Sequence, residues 1–258
     1  LSLHDALPIC VHAVNGVNLD LYPGEVVGVL GHNGAGKTVL MKALSGAIPC
    51  DEGEIRINGE KVRIGSPRDA RKYGIETIYQ TLALADNLDA PGNLFLGREI
   101  MTQYGALNDR AMENEARKVI ARLNPNFKNI TDAVKNMSGG QRQSVAIARA
   151  IYFNAKILIM DEPTAVLAPA ETRELFNTLR SLVKEGRSVV FISHKLNEVM
   201  DISDRIVVLR TGRVVAEKKT AETSTRELAN LMVGRELLES IDKRQLAPGD
   251  PVLNIKKL

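Results

Sequence analysis

No stretch of this 258-residue chain approaches the ~20 consecutive apolar residues of a membrane span, so any membrane role must come through a partner. Charge of one sign is missing too. The 34 Lys and Arg against 31 Asp and Glu leave a net charge of +3, too little by itself to argue for a nucleic-acid partner. Cysteine is scarce. Cys10 and Cys50 have neither metal-ligand spacing nor a disulfide logic, which fits a reducing compartment. There is no internal repeat and no low-complexity tract. Leu1 to Ile9 contain no charged region followed by an apolar stretch, so they do not read as a secretory signal. They read as a foreign start, or else as a divergent first strand. What remains, 44% hydrophobic and 25% charged, suits one large globular domain or two small lobes.

The strongest feature present is Gly31-His32-Asn33-Gly34-Ala35-Gly36-Lys37-Thr38. It fits G-x-x-x-x-G-K-[ST] at every fixed position. Its glycines let backbone N–H groups close around phosphates. Lys37 would reach the β- and γ-phosphates, and the Thr38 hydroxyl would sit on Mg²⁺. The flanks agree. Val26 to Leu30 is an apolar strand-like run, and Thr38 to Leu44 continues as a periodic helix whose N-terminus points at the phosphates.

Other segments carry clear local signals. Glu54 to Val62 alternates around Asn58-Gly59 and reads as a hairpin, and Arg205 to Lys218 reads as another, turning at Thr211-Gly212. Val14 to Leu21 reads as a strand, as does Ile75 to Gln80. Residues 82 to 136 change character and predict a helical lobe inserted between strands, with Ala111 to Leu123 its clearest helix. Ser138 to Tyr152 predicts a helix, followed by a buried strand at Lys156 to Asp161, a helix at Pro169 to Lys184 and a second buried strand at Ser188 to Ser193. Thr225 to Val233 predicts a short helix.

Four residues carry candidate chemistry beside the phosphate loop. Asp161 and Glu162 close a buried strand. The first is placed to hold Mg²⁺ through water, and the second to act on the attacking water. Gln80 follows a strand where the lobe begins, so its amide could touch Mg²⁺ or water and move with the lobe. His194 ends the Ser188 to Ser193 strand and could hydrogen-bond a γ-phosphate. Farther on than the loop, Ser138-Gly139-Gly140-Gln141 is a glycine-rich turn opening a helix. Such a turn can cap the phosphates of another subunit's ATP.

These features, in this order, resemble the ATP-binding cassette family of transporter ATPases over about residues 11 to 235. The resemblance implies an α/β P-loop NTPase fold with a mixed, mostly parallel central sheet, an antiparallel β subdomain and an inserted helical lobe. It also implies an ATPase whose Lys37 and Thr38 serve phosphate and Mg²⁺, with Gln80 as the lobe sensor and Asp161 as the Mg²⁺ acid through water. Glu162 becomes the hydrolytic base and His194 the γ-phosphate switch. Ser138, Gly139, Gly140 and Gln141 become the signature that meets ATP of an opposing cassette. The closer likeness is to bacterial sugar importers, through Gly74 to Gln80, Asn93 to Glu99 and Met232 to Glu236; nucleoside-type importers share some of these segments. The implied partners are a second cassette, either an identical copy or a tandem half, and a transmembrane permease. An extracytoplasmic sugar-binding protein would act indirectly, and the implied place is the cytoplasmic face of the membrane. No nucleic acid is expected. A soluble cassette ATPase acting on nucleic acid or ribosomes would share the core motifs but tends to carry long charged linkers, which are absent. A module that only senses ATP would not need both Glu162 and His194.

Three departures stand out. Met137 replaces a usual Leu, conserving volume. Ala168 stands where an Asp is usual, which predicts altered cross-talk between sites, not inactivity. Pro8 aligns with an aromatic that normally stacks on adenine. Leu82, Leu84 and Leu88, next to Gln80, are either a permease dock or lobe core. Residues 1 to 10 are expected to be atypical, and 11 to 240 to form the ATPase domain. Residues 241 to 258 are expected to be a linker and the start of a second cassette, unless they are a natural tail.

Overall fold

The computed structural model describes residues 13–234. Readings that fall on Leu1 to Ile9, on Pro8 and on the segment from Arg235 onward lie outside the described residues. The chain runs β1 (Val26–Leu30), α1 (Lys37–Leu44), β2 (Ile55–Ile57), β3 (Glu60–Val62), α2 (Pro67–Lys72), β4 (Ile75–Ile78), α3 (Ala90–Phe95), α4 (Asp109–Leu123) and α5 (Gly139–Tyr152). It continues through β5 (Ile157–Asp161), α6 (Pro169–Lys184), β6 (Ser188–Ser193), α7 (Leu196–Ile202), β7 (Arg205–Arg210), β8 (Arg213–Lys219) and α8 (Thr225–Val233).

Six strands form one sheet in the order β4-β5-β6-β1-β7-β8. The first five are parallel, and β8 returns antiparallel to β7. The central strands are apolar on both faces because both are covered. Leu30, Leu158, Met160 and Phe191 face a core shared with Ile147 of α5 and with Phe176 and Leu179 of α6. Their sequence neighbours Val29, Ile159, Val190 and Ile192 face the opposite layer, with Met41 of α1. Close approach of α7 to β1 requires Gly28, where a Cβ would lie 2.4 Å from Ser203 Oγ and 2.5 Å from a Val199 methyl.

The hairpin turns form as their sequences dictate. Asn58 (φ 52°) with Gly59 (φ 82°), and Thr211 (φ 46°) with Gly212 (φ 75°), take the paired left-handed conformations that two-residue hairpins use. The segment 14–21 forms no strand, against expectation. Gly16 turns the chain at φ 63°. Beyond it, side chains hold the backbone in place of a ladder. Arg205 Nη2 donates to Asp20 O (2.6 Å) and Ser188 Oγ donates to Tyr22 O (2.8 Å).

Between β4 and β5 the described residues build a separate apolar cluster from α3, α4 and the outer face of α5. Met112, Ala116 and Ile120 are buried at four-residue spacing along α4. Met137 is buried in this cluster, so a thioether fills its site without an unmet polar group. Of the three leucines after Gln80, Leu82 is buried in the main core and Leu84 packs against both clusters. Leu82 therefore serves as packing and not as an exposed dock, while Leu84 and Leu88 are half-buried.

Candidate functional site

The parallel register brings the candidate residues to one edge of the sheet. Leu30 pairs with Ser193, Asp161 with Ile192 and Ile78 with Met160. The residues just past these pairs are Gly31, His194, Glu162 and the Tyr79-Gln80 turn. All sit at the carboxyl ends of parallel strands, where ligands bind in open α/β sheets.

The phosphate loop closes on itself. Gly36 is the N-cap of α1 at φ 101°, and a Cβ there would lie 2.4 Å from Ala13 O, so only glycine fits both the turn and the space. The β7–β8 turn props the loop, because Gly212 N–H donates to Ala35 O (3.0 Å) while Gly212 O accepts from Asn15 N–H (2.7 Å). Lys37 is buried, and its Nζ donates to Gly31 O (2.7 Å) and His32 O (3.1 Å). Burial lowers its pKa, opposed by the nearby charges of Glu162 and Asp161. His32, Asn33, Gly34 and Thr38 are exposed, while Ala35 is buried.

Asp161 is a buried carboxylate. Burial raises its pKa, Glu162 raises it further, and Lys37 and Lys42 pull it back. An oxygen donor in that setting gains from a hard cation beside it, and the exposed Thr38 hydroxyl is of the same oxygen type. The donor set therefore fits Mg²⁺. Glu162 has φ 45°, a left-handed backbone uncommon outside glycine. Its N–H donates to Ile192 O (2.8 Å), and its Oε1 lies 2.7 Å from His194 Nδ1. His194 and Gln80 are exposed.

A clamp that the sequence reading missed joins these two segments. Buried Thr164 hydrogen-bonds Glu198 Oε2, and Lys195 Nζ reaches Glu198 Oε1 (2.9 Å) and Thr164 O (3.2 Å). The i,i+3 spacing of Lys195 and Glu198 on one helix start was a visible signal. The partner Thr164 was not, because it comes from another strand's loop.

Ser138 N-caps α5 with a full capping box: Gln141 N–H donates to Ser138 Oγ (3.2 Å), and Ser138 N–H donates to Gln141 Oε1 (2.8 Å). Among the described residues no hydrogen bond links Ser138, Gly139, Gly140 or Gln141 to the phosphate loop, Asp161, Glu162 or His194. The signature instead meets Glu171, a further residue not singled out from sequence.

A family model described as ABC transporter matches residues 14–165. The chain belongs to the ABC transporter family. This cassette is 42% identical over 248 residues to the ribose import ATP-binding protein RbsA of Caldanaerobacter subterraneus subsp. tengcongensis, covering 96% of the chain and 50% of that protein. The chain thus spans about half the length of that relative. It is 44% identical to the xylose/arabinose import ATP-binding protein XylG of Sulfolobus acidocaldarius, covering 86% of the chain and 88% of the relative. Among solved structures, one described as the ADP conformation of an ATP-binding cassette of an ABC transporter superposes with a TM-score of 0.70 at 25% identity, covering 86% of this chain and 89% of that one. The α/β P-loop NTPase fold expected from the sequence is the fold observed, with its parallel sheet, antiparallel pair and helices.

Proposed function

We propose that this cassette hydrolyses ATP and couples the reaction to import of a monosaccharide through a membrane permease. The observation that carries the reading is the Glu162–His194 pair at 2.7 Å, set at the strand ends beside the phosphate loop. Phosphoryl transfer to water needs positioning and charge neutralisation more than covalent chemistry. Loop N–H groups and Lys37 would grip the phosphates. Glu162 would orient the attacking water and accept its proton, and His194 would hold Glu162 and the γ-phosphate in register. Thr38, Gln80 and, through water, Asp161 would hold Mg²⁺, which supplies charge neutralisation on the phosphates.

The signature's separation from the loop within one chain supports a shared arrangement, in which Ser138, Gly139, Gly140 and Gln141 complete the site of a second cassette. The helical segment 82–136 would carry the resulting motion to the permease. Sugar import is supported by relatives named for ribose, xylose/arabinose and fructose import. No helix among the described residues is long and apolar enough to cross a membrane. In this reading the cassette works as a peripheral subunit at the cytoplasmic face, as relatives named as import ATP-binding proteins suggest. An extracytoplasmic sugar-binding protein would deliver the substrate, and nucleic acid has no part in this reading.

The test is ATP hydrolysis by the chain at several protein concentrations, beside Lys37→Ala. The expected result is a rate that rises faster than linearly with concentration and is lost in the variant. A rate strictly proportional to concentration and indifferent to Lys37 would overturn the reading.

A further inference from the structure

The signature's donors are already bonded to a carboxylate of the same chain. Ser138 Oγ donates to Glu171 Oε1 (3.0 Å), and Gly140 N–H donates to the same oxygen (3.1 Å). The second carboxylate oxygen, Oε2, accepts the Ala168 N–H (3.0 Å) at the start of α6. The contact is close: a Cβ at residue 140 would lie 2.7 Å from Oε1 and 2.9 Å from the carboxyl carbon, so a larger residue there would push the Glu171 side chain aside. The Ala168 N–H, with Ser138 and Gly140, holds the Glu171 carboxyl below the usual carboxylate range against the effect of burial. The group is therefore an anion at neutral pH, seated where the α5 dipole favours one.

Proton counting makes this contact consequential. A serine hydroxyl has one proton to donate, and so has a backbone N–H. The Ser138 oxygen caps α5 by accepting the Gln141 N–H, which leaves its one proton to donate to Glu171. While Glu171 Oε1 takes both protons, neither is available to a phosphate oxygen. A γ-phosphate from a second copy and the Glu171 carboxylate are two anions competing for one pair of protons.

We propose that Glu171 is an internal placeholder for the signature. It satisfies Ser138 and Gly140 in the single chain and must be displaced by ATP bound to a second copy. It thereby sets the ATP concentration at which two copies close. This rests on the reading that two cassettes share each nucleotide.

Glu171→Gln separates the placeholder from the helix cap. Glutamine serves as well as glutamate at the third position of a capping box, so its amide oxygen keeps the Ala168 N–H. Its remaining amide group is a donor and cannot accept from Ser138 or Gly140. The experiment is sedimentation of Glu162→Gln and Glu162→Gln/Glu171→Gln chains over an ATP series, with melting temperatures measured in parallel. The expected result is half-maximal dimer at an ATP concentration lower by roughly fivefold or more in the double variant. An unchanged or higher ATP requirement overturns the proposal and leaves Glu171 a helix cap. Absence of ATP-dependent dimer in both proteins, each still folded, overturns the shared-nucleotide reading and the placeholder with it.

Discussion

Glu162 and His194 meet at 2.7 Å although 32 residues separate them, because β5 and β6 lie side by side in parallel register. Each residue follows the last paired position of its strand. The pairing of Asp161 with Ile192 therefore fixes the carboxylate opposite the ring. If this pair acts on the water, Glu162→Gln lowers kcat by about 10²–10⁴-fold while nucleotide still binds. His194→Ala falls in the same range, and the double variant loses little more than the worse single, since the two act as a unit. Steady-state ATPase rates beside equilibrium nucleotide binding check this.

The Thr164–Glu198–Lys195 clamp lies two residues beyond Glu162 and starts one residue after His194. Breaking it leaves the loop and α7 less firmly registered. Glu198→Gln is expected to lower kcat, by up to about 10²-fold, with the KM for ATP little changed. A fall in ATP affinity with kcat intact would show that the clamp serves the fold alone.

Ala168 is the N-cap of α6 but carries no side-chain oxygen to accept an orphan N–H. Ala168→Ser supplies one. The variant should gain about 0.5–2 kcal/mol in stability, read as a higher urea midpoint at unchanged slope.

Gly28 lies on β1 beneath α7 with no room for a methyl. Its two nearest neighbours are a buried methyl of Val199 in α7 and the buried hydroxyl of Ser203 at the helix's C-cap. Gly28→Ala should therefore cost about 1–3 kcal/mol by overpacking. Thermal unfolding would show it, whereas an unchanged melting temperature would mean that α7 shifts freely.

Glu25 receives Arg205 at 2.8 Å, and Arg205 also holds Glu217. Burial alone would raise the Glu25 pKa, but the Arg205 guanidinium and the Tyr22 N–H outweigh it and lower it below 4.5. A depressed carboxylate stabilises the fold above its unfolded pKa and loses that contribution as pH falls through the folded value. Glu25→Gln should therefore destabilise at pH 7 by about 1–3 kcal/mol, and the difference should shrink steadily below pH 4.5. A difference that does not shrink at all as the pH is lowered through the acid range would assign the cost to shape and not to charge.

The sequence alone determined the elements whose signals are local. The strand–glycine loop–helix at 26–44, the Asn58-Gly59 and Thr211-Gly212 turns, α6 at Pro169–Lys184 and β6 at Ser188–Ser193 all depend on neighbours a few positions away. It also placed Asp161, Glu162 and His194 at strand ends, because a continuous apolar run that stops at a polar residue marks where a buried strand emerges. Val14 to Leu21 failed for the complementary reason. Its pattern suits a strand, but a strand also needs a ladder partner, and here Arg205 bonds Asp20 O near its end and Ser188 bonds Tyr22 O just past it instead. Tertiary structure alone decided the order β4-β5-β6-β1, the burial of Leu82, the Thr164–Glu198–Lys195 clamp and the seat of Glu171 on the signature helix. Each depends on which segments far apart in the chain become neighbours. Local periodicity reports which face a residue turns inward, whereas the packing of whole elements selects what it meets there.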